Sequence, residues 1–150
     1  MKVCIGGTFD RLHKGHKALI RKAFEIDKED KVFVGIVKDS SKSEGIANFE
    51  ERKEEVLRFL KKEGFLRRAV VEPIFDRYGP SIDGEFDAIV VSKETIRTAR
   101  EINELRRKKG KKPLMIICIP TVYAEDGKPI SSSRIRKGEI DRDGNVLHKH

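Results

Sequence analysis

Five short apolar stretches punctuate the chain: Lys2–Ile5, Val32–Val37, Ala69–Ile74, Ala88–Val91 and Leu114–Ile119. Most are rich in β-branched residues and nearly continuous, the pattern of strands covered on both faces of a parallel sheet. Between them the apolar spacing lengthens to that of helices. Gly15–Ile26 places Leu19, Ile20, Ala23 and Phe24 on one face, and Phe49–Lys62 does the same with Phe49, Val56, Leu57 and Leu60. Asn48 and Glu51 form a capping pair for that second helix, and Gly64 is placed to end it. Glu94–Lys109 carries Ile96, Ala99, Ile102 and Leu105, with Ser92 as N-cap and Gly110 as stop. A last short helix starts within Ser131–Ser133 and reaches Lys137.

Strands alternating with helices predict βαβ units. The expected architecture is α/β: a single Rossmann-like domain over residues 1–150, with a five-stranded, mostly parallel sheet and helices on both faces. In such folds the ligand crevice lies beyond the carboxyl ends of the strands. Two connections there, Lys38–Ala47 and Asp76–Glu85, are longer than a simple link requires, as binding loops tend to be.

Charge adds a partner class. The 150 residues hold 33 Lys and Arg against 25 Asp and Glu, a net charge of +8, which suits anionic partners, either nucleic acid or phosphorylated small molecules. The densest basic run, Arg106–Lys112, reads as a solvated helix end. No stretch approaches the roughly 20 apolar residues of a membrane span. The amino terminus reads as a strand and not a signal peptide, so no membrane association and a cytoplasmic location are expected. Cys4 and Cys118 each sit in an apolar run, which predicts buried thiols in a reducing compartment and neither a disulfide framework nor a zinc site. The absence of Gln and Trp, with only three Asn and abundant Lys, Glu and Arg, fits a thermophile's composition.

The candidate chemistry begins directly after the first strand, in Gly6-Gly7-Thr8-Phe9-Asp10-Arg11-Leu12-His13-Lys14-Gly15-His16. The glycine pair lets backbone approach a ligand closely, and free N–H groups at the start of the following helix would face the crevice. His13 and His16, three apart, fall on one side of the first turn, and Gly15 between them leaves room for a flat group such as a nucleobase. No further zinc ligand accompanies them. A second motif, Ile130-Ser131-Ser132-Ser133-Arg134-Ile135-Arg136-Lys137-Gly138, sets three hydroxyls and helix-start N–H groups where an anion could bind.

The two motifs together resemble the signature of the nucleotidyltransferase superfamily marked by H-x-G-H. That resemblance implies a Rossmann-like sheet and transfer of a nucleotidyl group from a nucleoside triphosphate, with release of pyrophosphate. It implies that Thr8, His13 and His16 contact the phosphates and that the backbone of Gly7, Thr8 and Phe9 lines the nucleotide and the attacking phosphate. Ser131, Ser132, Ser133 and Arg136 would clamp the triphosphate, with Arg134 as a secondary candidate.

Three further segments narrow the resemblance. Val90-Val91-Ser92-Lys93-Glu94-Thr95 with Ala99, Ile102-Asn103, Arg106 and Gly110, then Asp76-Arg77-Tyr78-Gly79-Pro80, and the tail Ile135–Asp141 are similar to phosphopantetheine adenylyltransferases of the archaeal and eukaryotic type. Bacterial enzymes usually carry Thr at the position of His13, so their hexamer need not apply, and a monomer or small homo-oligomer is expected. The implied substrates are ATP and 4′-phosphopantetheine, and the products dephospho-coenzyme A and pyrophosphate. The acceptor is a phosphate monoester, largely dianionic near neutrality because its second pKa is about 6. It needs no general base, and the sequence offers no credible triad.

Catalysis would then rest on positioning and charge. His16, and secondarily His13, would stabilise charge on the transferring and leaving phosphates. Lys42 would bridge the acceptor and the α-phosphate, with Lys38 as the other candidate, and Mg²⁺ would ride on the triphosphate oxygens. Ser92, Glu94 and Thr95 lie where adenine and ribose would bind, Arg97 is a candidate for the β- and γ-phosphates, and Tyr78 is assigned to the pantetheine side. Two alternatives stay open on residues alone. One is the same chemistry on another acceptor, glycerol-3-phosphate with CTP or FMN with ATP. The other is a basic RNA-binding module, against which stands the lack of RNP, KH and helix-turn-helix signatures.

Overall fold

The computed structural model describes residues 1–38 and 45–148. The elements run β1 (Val3–Gly7), α1 (Lys14–Ile26), β2 (Val32–Val37), α2 (Phe49–Glu63), β3 (Ala69–Ile74), β4 (Ala88–Val91), α3 (Ile96–Lys108), β5 (Met115–Cys118) and α4 (Ser132–Arg136). Short 3₁₀ turns at Leu66–Arg68 and Gly79–Ser81 precede β3 and β4. The sheet order is β3-β2-β1-β4-β5, and every pairing is parallel. The expected mostly parallel Rossmann-like sheet is therefore wholly parallel.

Alternation along β1 and β4 divides the core. Val3, Ile5, Ala88 and Val90 face the side where α1 and α2 pack, with Leu19, Ile20, Ala23, Phe24, Val56 and Leu60. Cys4, Ile89 and Val91 face the other side, against Ala99 and Ile102 of α3. A small third cluster of Ala124, Ile130 and Ile140 binds the carboxy-terminal segment together. Burial on both faces holds for the central strands but not at the edges, where Met115 of β5 is 54% exposed and Glu72 of β3 is exposed. For the same reason only one thiol is buried. Cys4 lies in β1 at the centre of the sheet, whereas Cys118 closes the edge strand and is exposed.

The chain leaves β1 towards β2 and β3, then returns to the other side of β1 for β4 and β5. Neighbouring strand ends diverge at such a reversal, so a crevice opens beyond β1 and β4. Both glycines proposed as helix stops have positive φ, Gly64 at 79° and Gly110 at 73°. Asn48 caps α2 as expected, its side chain accepting from the Glu51 N–H. Ser92 does not cap α3. The helix begins at Ile96, and Ser92 instead sits in a turn in which its N–H donates to Thr95 Oγ1 at 3.1 Å.

Candidate active site

A crevice of about 640 Å³ opens beyond the strand ends. Gly7, Thr8, Phe9, His13, His16, Tyr78, Ser92, Glu94, Thr95, Ser131, Ser132, Ser133 and Arg136 all line it, so residues more than 120 positions apart share one wall. Lys38 and Arg97 do not line it, and the Lys38 ammonium instead stands over the Phe49 ring, 5.6 Å from its centroid. Lys42 lies outside the described residues.

The two histidines are more tightly organised than their spacing suggests. His13 is the N-cap of α1, and its side chain accepts from the N–H groups of Gly15 and His16. The His16 Nδ1 in turn accepts from the His13 N–H at 3.2 Å. This is a capping box built from imidazoles where Ser and Glu are usual. The rings stack, centroids 3.7 Å apart. Each Nδ1 is thus an acceptor and carries no proton, so each neutral ring holds its proton on Nε2 and can donate only from there.

Burial pushes both imidazoles well below their ordinary pKa. His13 falls to about 4, with Arg142 adding to the effect of burial. His16 falls to about 3, burial leading and the neighbouring His13 contributing. One sequence expectation is corrected here. The helix-start N–H groups do not face the crevice, because His13 takes those of Gly15 and His16, and the Arg142 carbonyl takes that of Lys14. At Gly15 the position a Cβ would take is filled by the His13 ring, Cε1 lying 2.8 Å away, while Gly15 itself lines the crevice.

Asp10 ties the two motifs together. It is 1% exposed, and its carboxylate accepts from Ala47 N–H, Arg11 and Arg136, while its carbonyl accepts from the Ser132 hydroxyl at 2.7 Å. Burial acts to raise its pKa, but the Ala47 N–H, Arg136 and Arg11 outweigh it and hold the carboxyl below its usual range. Arg136 is thereby brought to the crevice wall at 2.8 Å from Asp10. Arg134 turns the other way, to Asp126, the Pro129 carbonyl and Glu139. Ser131 caps α4, accepting from the Arg134 N–H.

Two buried arginines had no assigned place. Arg52 of α2 is 1% exposed and donates to four backbone carbonyls, those of Thr8, Val37, Lys38 and Ala47. Burial draws its pKa below the ordinary value, and Asp10 opposes that shift. Arg106, expected in a solvated run, is 5% exposed and donates to Ser81, Ile82, Gly84 and Lys112 carbonyls. It pins the connection that carries Tyr78, whose hydroxyl donates to Glu101 and accepts from Arg77. A charged residue at an apolar helical position was the available sign for both. Arg52 precedes Val56 by one turn, and Arg106 follows Ile102 by one turn.

A parallel sheet with this strand order, an imidazole pair at its first crossover and a serine-arginine segment bonded to Asp10 beside it define a nucleotidyltransferase-type Rossmann-like domain. Residues 4–138 match the Cytidylyltransferase-like family. The phosphopantetheine adenylyltransferase of Methanosarcina barkeri is 46% identical over 148 residues, covering 97% of this chain and 92% of that protein. That of Methanopyrus kandleri is 50% identical over 145 residues, covering 93% and 90%. A crystal structure of a protein of unknown function from Archaeoglobus fulgidus superposes with a TM-score of 0.74 at 31% identity, over 87% of this chain and all of that one. The chain belongs to the cytidylyltransferase-like family and, within it, to the phosphopantetheine adenylyltransferases of the archaeal type.

Proposed function

We propose that the chain transfers AMP from ATP to 4′-phosphopantetheine, giving dephospho-coenzyme A and pyrophosphate, by direct in-line attack without a covalent intermediate. The observation that carries this reading is the convergence of His13, His16, Thr8, Ser131–Ser133 and Arg136 on one crevice of a chain about half identical to archaeal phosphopantetheine adenylyltransferases. The acceptor phosphate is already a nucleophile, so the site needs donors and cations and no base.

ATP lies across the β1 and β4 ends, its adenosine beside Ser92, Glu94 and Thr95, and its phosphates between the histidines and Arg136. The acceptor enters on the β2 and β3 side, towards Tyr78, and Lys42 is assigned as the bridging cation. As neutral donors, His13 and His16 strengthen their Nε2–H bonds as negative charge grows on the phosphates, which lowers the barrier and not merely the dissociation constant. Among the described residues no three His, Cys, Asp or Glu side chains converge on a metal site. We infer that magnesium arrives with the triphosphate, held by phosphate oxygens and water. No helix of the described residues is long and apolar enough to cross a membrane. One domain suffices for the whole reaction, working as a monomer or small homo-oligomer.

Pyrophosphate release tests the reading. ATP and CTP are each paired with 4′-phosphopantetheine, FMN and glycerol-3-phosphate. Release confined to ATP with 4′-phosphopantetheine is expected. Release only with another pair would reassign the acceptor, and none with any pair would refute transfer.

A further inference from the structure

Arg52 is among the largest fully buried side chains, and among the described residues it forms no ion pair with a carboxylate. A lone buried guanidinium is costly unless its donors are matched, and here Nε, Nη1 and Nη2 are all engaged by carbonyls. The choice of carbonyls is what gives it meaning. Thr8 belongs to the loop after β1, Val37 ends β2 with Lys38 directly after it, and Ala47 precedes α2. One planar fork thus joins the two strand ends that flank the acceptor side of the crevice. Ala47 is held twice, its carbonyl by Arg52 and its N–H by Asp10 at 3.0 Å.

Strand ends that point into an anion site present a difficulty, because exposed carbonyls repel phosphate. A trans peptide sets its C=O and N–H in opposite directions. Drawing the Thr8 carbonyl inward to Arg52 at 2.9 Å turns the Phe9 N–H the other way, and both residues line the crevice. Phe9 holds a φ of 53°, rare outside glycine, and its ring is 1% exposed in the core, so this peptide is clamped from both sides. At the next strand the Val37 carbonyl goes to Arg52 at 2.6 Å, while the Lys38 N–H goes to Ile74 at 2.9 Å.

We propose that Arg52 is a positioning residue for the transfer. It withdraws the Thr8 and Val37 carbonyls from the rim, presents the Phe9 N–H to the phosphates, and holds the acceptor side at a set distance from the nucleotide side. This rests on the transferase reading above. Lysine cannot replace it, because a single ammonium cannot span carbonyls on separate segments. Arg68 supplies an internal comparison. It donates to the Phe24, Asp27 and Asp30 carbonyls, none of which lines the crevice.

The experiment compares wild type, Arg52→Lys and Arg68→Lys by pyrophosphate release and ATP calorimetry, both well below each melting temperature, and by thermal melting. Both variants are expected to lose stability. Only Arg52→Lys is expected to lose kcat, by roughly 30- to 100-fold, with ATP affinity within about threefold. A kcat within about threefold of wild type, or an equal loss in both variants, would overturn the proposal. Hydrogen exchange on the wild-type protein needs no variant to fold and no acceptor: the Phe9 amide is expected to gain protection when Mg-ATP binds. No gain there would overturn the proposal even if turnover with 4′-phosphopantetheine were normal. Failure of wild-type turnover with the Phe9 protection intact would instead refute the acceptor assignment alone.

Discussion

His16 illustrates how much a single ring can be asked to do. Its Nδ1 closes the cap of α1, and its Nε2–H is left for the crevice. The two tasks are separable by substitution. His16→Ala is expected to lower kcat by roughly two to three orders of magnitude, with ATP affinity changed only a few-fold, as for loss of a donor that acts on developing charge. It also removes a cap acceptor, worth about 1 kcal/mol. His16→Asn keeps an oxygen acceptor near Nδ1 but has no Nε2–H. Its melting temperature is expected to recover most of the loss while its turnover does not. Recovery of turnover with melting would assign His16 to folding alone. The importance of both histidines was legible from their spacing and their place after a Gly-Gly strand end. Their tautomer was not, because it depends on which backbone N–H each Nδ1 meets.

At the scale of the element, the start of α1 is where the sequence reading and the structure part. Gly15 lines the crevice, and the room left by its missing Cβ is taken by the His13 ring. Ala would ordinarily stabilise a helix by about 1 kcal/mol over Gly. In Gly15→Ala the new Cβ would lie 2.8 Å from His13 Cε1 and 3.0 Å from Nδ1, so the ring must move and the cap opens. The expected outcome is a lower melting temperature together with kcat reduced by about tenfold or more, since the displaced ring is one of the donors. A higher melting temperature at full activity would show that His13 adapts without cost. Elsewhere the element reading was nearly complete. The apolar spacing that marked Leu19, Ile20, Ala23 and Phe24 found the buried face of α1. The buried face of α2 includes Arg52, which no hydrophobic periodicity can register.

For the whole molecule, the two histidines link stability to acidity. Both have folded-state pKa values far below the unfolded value of about 6.5, at about 4 and about 3. The native protein therefore favours them neutral, and the unfolded chain binds more protons below that unfolded value. Their contribution is full above pH 6.5 or so and declines as pH falls through about 4 and then about 3. Thermal melting is thus expected to weaken from about pH 6 downward, before ordinary carboxylates titrate, and His16→Asn is expected to flatten that slope. A wild-type melting temperature constant between pH 6.5 and 4.5 would contradict the neutral cap.

The sequence by itself determined the layered α/β fold, the strand boundaries to within a residue or two, and the two motifs that meet at the crevice. These are properties of local pattern: burial on both faces forces continuous apolar strands, a helix repeats every 3.6 residues, and glycine marks the turns that need it. Tertiary structure decided which partner each polar group takes. It sent Arg136 to Asp10 and Arg134 to Asp126, folded Arg52 and Arg106 inward, and left Cys118 at an exposed sheet edge. Those outcomes depend on groups far apart in the chain, such as Asp10 and Arg136, being brought within hydrogen-bond distance. A buried charge accepts burial only where the completed fold supplies its partners.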